Sequence, residues 1–401
     1  MSRVETTTNF RDSDGVDLGK KLITKDYLIS VYPSIGEQIG IPPELWTWGY
    51  GTYGQLGDNT TTNKSTPVTT FAGGTNWKQV SAGRKHCAAI KTDGTLWTWG
   101  RGTAGQLGDN TATTKSTPVT TFAGGTNWKQ VSSGYRHCAA IKTDGTLWTW
   151  GRGFTGQLGD NTTTNKSTPV TTFAGGTNWK QVSAGREHCA AIKTDGTLWT
   201  WGTGVDGQLG DNTTTNKSTP VTTFAGGTNW KQVSCGGDHC AAIKTDGTLW
   251  TWGYGTSGQL GDNTTTSKST PVTTFAGGTN WKQVSSSSSH TAAIKTDGTL
   301  WTWGLGIFGR LGDNNSTTNK STPVTTFAGG TNWKQVSAGT FHSAAIKTDG
   351  TLWTWGDGTY GQLGTNTITD KSTPVTTFAG GTNWKQVSSG YHTAAIKSVD
   401  F

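Results

Sequence analysis

Residues 88–99 read A-A-I-K-T-D-G-T-L-W-T-W, and the chain repeats this phrase and its flanks along almost its whole length. The segment L-W-T-W-G begins at Leu45, Leu96, Leu147, Leu198, Leu249, Leu300 and Leu352, spaced by 51 residues five times and by 52 once. A period in this range marks a propeller, a solenoid or an array. Within the unit, Asp93-Gly94 joins two short runs and is a strong hairpin signal, because the dipeptide tolerates positive φ. Residues 67–71 (P-V-T-T-F) and 77–81 (W-K-Q-V-S) read as two further strands around a Gly73-Gly74 turn. No helical apolar period runs through the unit. Four strands per unit, repeated radially, predict an all-β fold: a seven-bladed β-propeller of four-stranded blades.

The ends predict closure. The last unit stops at Ala394-Ala395-Ile396-Lys397 without its hairpin partner, and the first opens on an unpaired L-W-T-W-G at Leu45. Pairing the two completes a blade from both termini and removes a sheet edge open to aggregation. An open solenoid would instead need atypical capping units. The domain reading is residues 1–44 as an N-terminal docking arm or strap, and 45–401 as the propeller.

The pattern G-x-x-H-C-A-A-I-K-T-D-G-T-L-W-T-W-G-x-G-x-x-G-Q-L-G-D-N resembles the repeat of the regulator of chromosome condensation family, whose fold is a seven-bladed propeller. That family includes nucleotide exchange factors, a plant ultraviolet receptor and a bacterial enzyme inhibitor, so function has to be argued from sites. The exchange factors are expected to carry irregular insertions that engage a small GTPase, and these uniform units have none. The photoreceptor carries G-W-R-H-T where this chain has G-Y-R-H-C at Gly134 to Cys138. Tyr135, Arg84 or Arg186 stand in place of that tryptophan, which argues against light sensing. What the resemblance implies is use of this face for protein contacts.

Each unit carries three tryptophans, such as Trp46, Trp48 and Trp77, which accounts for all 21. Trp46 and Trp48, two apart, share a strand face and are expected to fill the space between blades. The net charge of +8 is spread at about one excess cation per blade, whereas a phosphate-binding groove would gather it on one face. Nucleic acid is therefore not the expected partner. Cys87, Cys138, Cys189 and Cys240 share one slot with Thr291, Ser343 and Thr393, as a small buried thiol would, and Cys235 is a local extra. Neither a signal peptide nor an apolar run long enough for a membrane helix is visible.

The leader has a different composition. Leu18, Leu22, Ile23, Tyr27, Leu28, Val31 and Tyr32 supply apolar surface outside the ring, which needs a partner and reads as an assembly arm. This leader, followed directly by such repeats, resembles the opening of predicted virion structural proteins of marine tailed phages. That resemblance implies a phage virion component (tail, neck or capsid appendage), assembled in host cytoplasm, with other virion proteins bound through residues 1–44. The alternative is a cytoplasmic regulator that binds a cellular protein such as a small GTPase or an enzyme.

The seven copies differ in two places, just after W-G and just before the histidine. In a hairpin that turns at Asp93-Gly94 these two places meet at the opposite end, so one face of the ring is uniform and the other variable. The variable face carries Tyr50, Tyr53, Arg84, Lys85, Arg101, Tyr135, Arg136, Arg152, Phe154, Arg186, Ile307, Phe308, Phe341, Tyr360 and Tyr391. Tyrosine, phenylalanine and arginine are types enriched at interface hot spots. The face is expected to take an unknown protein or glycan.

Chemistry is otherwise missing. The histidines (His86, His137, His188, His239, His290, His342, His392) stand around a ring, too far apart to converge on an ion, and are expected to bond their own blade's backbone. No metal site, cofactor or unique nucleophile–base pair is visible, so the chain reads as a non-enzyme.

Overall fold

The computed structural model describes residues 43–72 and 75–398. The assembly arm lies outside these, as does the Gly73-Gly74 turn. Twenty-eight strands, β1–β28, form seven four-stranded antiparallel sheets. Blade 1 shows the common plan: β3 (Trp77–Ala82) innermost, then β4 (His86–Lys91), β5 (Leu96–Gly100) and β6 (Lys115–Thr120) outermost. Blade 7 has the order β2-β1-β28-β27, with β1 (Glu44–Gly49) paired to β28 (His392–Lys397) over six residues. The ring is closed as the orphan segments predict, with β2 (Lys64–Thr69) outermost and β27 (Trp384–Ser389) innermost.

Two local readings change. The outer strand starts three residues before Pro67 and ends before Phe71, which is 63% exposed. Proline has no amide to donate, so it suits this edge position, where the ladder with β1 is already irregular. The Asp93-Gly94 hairpin is not a two-residue turn with both φ positive. The Gly94 amide donates to Lys91 O and the Lys91 amide to Thr95 O, both at 3.0 Å, and of the two only Gly94 has positive φ, +81°. That is a three-residue loop with a left-handed glycine. The Asp93 carboxylate accepts from the Thr95 amide and hydroxyl, at 2.9 and 2.7 Å, and fixes it.

The core lies between blades. Ala88, Ile90 and Leu96 of blade 1 pack on Trp128, Val131, Cys138, Ala140 and Trp150 of blade 2. Trp99 is fully buried, and its indole N–H donates to Gln55 O in the loop of the preceding blade at 2.9 Å. Trp77 meets Trp99 and Trp97 edge to face. Trp97 is half-buried and lies under Lys91, whose ammonium is 4.6 Å from its ring. The first tryptophan of each L-W-T-W thus caps the seam and the second fills it.

The free edges of the inner strands are satisfied around the circle. Gln79 Nε2 donates to Val131 O at 3.1 Å, the Val131 amide returns a bond to Gln79 Oε1 at 3.0 Å, and the Ser133 amide donates to Ser81 Oγ at 2.9 Å. The belt closes across the termini, where Gln386 clamps Val80 and Ser388 takes the Ala82 amide. Gln181→Ala would orphan the buried Val233 amide and carbonyl that it clamps, both at 3.0 Å. At 1–3 kcal/mol per unsatisfied group, we expect a loss of about 2 kcal/mol in unfolding free energy, measured by urea denaturation. A loss below about 0.5 kcal/mol, the surface norm, would remove the belt from the account.

The histidines depart from expectation. All seven are fully buried, and six turn Nε2 to the next blade rather than to their own backbone, as His86 and His137 do to Cys138 and Cys189 at 3.1 Å and His239 and His290 to Thr291 and Ser343 at 2.8 Å. His392 Nε2 has no hydrogen-bond partner among the described residues. This explains why thiol and hydroxyl alternate in that slot. Both give a histidine something to bond. Among the described residues no helix is long and apolar enough to cross a membrane.

Candidate functional site

In six of the seven blades the two variable stretches are tied together by backbone, because one ends where the first strand of the hairpin begins and the other starts where the second ends. The amides of Arg101, Arg152, Thr203, Tyr254, Leu305 and Asp357 donate to the carbonyls of Lys85, Arg136, Glu187, Asp238, Ser289 and Phe341 at 2.8–3.0 Å. On the opposite side the Trp128 amide donates to Gly94 O and the Thr143 amide to Asn127 O. Constant turns and constant loops therefore share the other face, as the hairpin geometry requires.

The variable stretches surround the mouth of an axial cavity of about 170 Å³, lined by small residues such as Ser132, Ser183, Ser234 and Ser285. Tyr135 spans it. Its hydroxyl donates to Ser288 Oγ, three blades on, at 2.8 Å, and burial pushes the phenol above its usual range. The Arg84 guanidinium is stacked between the rings of Tyr135 and Tyr391, at 5.0 and 4.7 Å. These residues form a plug as well as a surface.

Around the plug the face divides into sectors. Tyr50 packs against Tyr53, Tyr360 and Tyr391, with ring centres 5.0–6.2 Å apart, and Phe341 joins at 5.3 Å from Tyr391. Ile307 and Phe308, in a 3₁₀ turn over Ile307–Gly309, are 38% and 41% exposed and continue this apolar arc. Next comes a basic arc: Lys85 donates to the Tyr53 hydroxyl at 3.1 Å and sits over its ring, with Arg101 beside it. The bond and charge of Lys85 hold the Tyr53 phenol below its usual range.

Two of the expected cations are already paired within the chain. Arg152 binds Glu187 at 2.6 Å and lies over Phe154, while Arg186 binds Asp238 at 3.2 Å. The sequence reading grouped them with the free cluster because their partners come from the next blade. Arg101 and Arg136 occupy the positions that Arg152 and Glu187 hold one blade on, so there the ion pair is replaced by two like charges. Burial, then Arg101, Arg152 and Arg84, lowers the Arg136 guanidinium from its usual range. Among the described residues no carboxylate forms an ion pair with Arg84, Lys85, Arg101 or Arg136.

Sequence reasoning missed Arg310, which replaces glutamine in the blade-5 copy of G-Q-L-G. It is buried between Phe308 and Phe341 and donates to Ile307 O and Thr340 O. That single departure from a constant motif was the available signal.

Comparison with known proteins supports the architecture. The RCC1-like domain profile matches residues 165–399, and the regulator of chromosome condensation (RCC1) repeat matches residues 44–90 and 93–141. The chain is 33% identical over 335 residues to the ultraviolet-B receptor UVR8 of Arabidopsis thaliana, covering 82% of this chain and 76% of that one. It is 29% identical to the E3 ubiquitin-protein ligase HERC2 of Mus musculus, covering 92% of this chain but only 8% of the ligase. Human WBSCR16 superposes with a TM-score of 0.79 at 21% identity, over 90% of this chain and all of that one. Prp20p of Saccharomyces cerevisiae, described with its binding to Gsp1p and histones, superposes with a TM-score of 0.77 at 18% identity, over 92% and 95%.

Proposed function

The chain belongs to the regulator of chromosome condensation repeat family, and on that premise we propose that it is a non-enzymatic, protein-binding propeller whose variable face docks an acidic protein surface. One observation carries this reading: Arg101 and Arg136 stand as like charges where the next blade pair has an ion pair. Such an arrangement gains most when a partner brings the carboxylates, and charge-assisted bonds to arginine are among the strong ones. The adjoining aromatic arc of Tyr50, Tyr360, Phe308 and Phe341 supplies anchors of the kind found at interface centres. The regulator reading is also supported by relatives that are cellular proteins, Prp20p with its described binding to Gsp1p and histones among them. A virion placement rests on residues 1–44, of which 1–42 lie outside the described structure, and draws no support from those relatives.

The structure shifts the choice of substitutions. Arg152 is engaged by Glu187, so reversing it would disturb the fold's own pair. Arg101→Glu with Arg136→Glu should instead reduce capture of the partner by at least about tenfold, in line with a loss of 2 kcal/mol or more at a desolvated charge pair. The melting transition should be unchanged. The control is Lys129→Glu, exposed beside Trp128, whose amide bonds Gly94 O on the uniform face. An equal loss from the control, or full binding by the double variant, would overturn the proposal.

A further inference from the structure

Cys235 is the one residue in its slot that can ligate a metal. The equivalent positions hold Ala82, Ser133, Ala184, Ser286, Ala338 and Ser389. It lies directly across the ladder from Cys240, with the two sulfurs 2.7 Å apart. Cys240 in turn receives His188, whose Nε2 is 3.1 Å from its sulfur. The three ligand atoms all lie within 4.8 Å of one another, all three residues are buried, and the other blades place no such triad among the described residues. The ring argument against metal holds for the seven histidines. It does not reach this blade seam, where an extra cysteine adds to a histidine–cysteine contact that the fold already makes.

We propose that His188, Cys235 and Cys240 form a binding site for one thiophilic d¹⁰ cation, Zn²⁺ or Cu⁺, reached from the axial cavity. Two thiolates and an imidazole are the donors that select these ions over harder ones, and three protein ligands leave a position for an outside group. Cys235 lines the cavity, which provides both an entry path and room to move. An ion held at about 2.3 Å from each sulfur in tetrahedral geometry needs them roughly 3.7 Å apart. A rotation of Cys235 toward the cavity by about 1 Å supplies that.

The test uses the full chain, reduced and stripped with a chelator, then loaded with Zn²⁺ or, anaerobically, with Cu⁺, and desalted. We expect one equivalent of one of these ions to remain. Co²⁺ should give thiolate charge-transfer absorption. Cys235→Ala installs the residue already present at Ala82, Ala184 and Ala338, so it will fold, and it should weaken retention by at least roughly tenfold. Cys240→Thr, which copies Thr291, should do the same, and Cys138→Thr should change nothing. Failure of wild type to retain either ion, or wild-type loading by Cys235→Ala, would overturn the site without touching the partner-binding reading.

Discussion

Lowering the pH from 7 to 5 should unfold the ring cooperatively, well above the range in which carboxylates titrate. Burial holds His86 and His342 down to about 4 and His137, His239 and His392 to about 3, and it takes His290 well below its ordinary value. An unfolded histidine titrates near 6.5. Between that value and the folded ones the unfolded chain binds protons that the native chain refuses, so stability is complete above about 6.5 and falls as pH drops. Each such histidine costs about 1.4 kcal/mol per pH unit over this window. Six together cost about 8 kcal/mol per unit, against a typical total of 5–15 kcal/mol. The midpoint should therefore lie near pH 5. Urea midpoints measured from pH 8 to 5 are the check. The Asp93-type carboxylates, lowered by their Thr95-type bonds, add only below about 4. A stability that stays flat from pH 7 to 5 would mean that the seams admit water or that the histidines find other partners.

Removing residues 1–49 should abolish the native state, whereas a chain starting at Pro43 should keep its cooperative transition. The larger cut takes β1, and with it Leu45 and the fully buried Trp48, whose indole donates to Gln362 O and meets Trp384 edge to face. Losing a buried tryptophan costs about 3–5 kcal/mol and a leucine about 2–5. β28 would then present six unpaired residues, and two inter-blade clusters would open to water. Those terms alone reach the range of a domain's whole stability. Exposed strand edges also recruit other chains, so soluble aggregates should appear on size exclusion. A truncated chain that melts cooperatively within a few degrees of the full one would show that closure is dispensable.

Most of the fold was legible because the repeat writes it. The spacing of L-W-T-W-G sets the blade, and the orphan copy at Leu45 with the unpaired end at Lys397 announces the closure. What stayed hidden depends on a residue one unit away. The cysteine slot varies with hydroxyls because His86-type rings reach it from the preceding blade. Gln79 looks like a solvated strand residue until the next inner strand is placed beside it. The variable face was legible as a face, since hairpin direction alone gathers its stretches. Its electrostatics were not, because whether Arg152 is free or paired depends on Glu187 across a seam. The same blindness hid the triad at Cys235.

Hydrogen–deuterium exchange on the complex with the captured partner tests the central claim most directly, because the uniform face supplies an internal reference in every blade. Protection confined to the stretches around Tyr50–Tyr53, Arg84–Lys85, Arg101 and Tyr135–Arg136, with none at the Asp93-type turns, is the predicted result. Protection centred on those turns or on the A-G-G-T-N loops would contradict it.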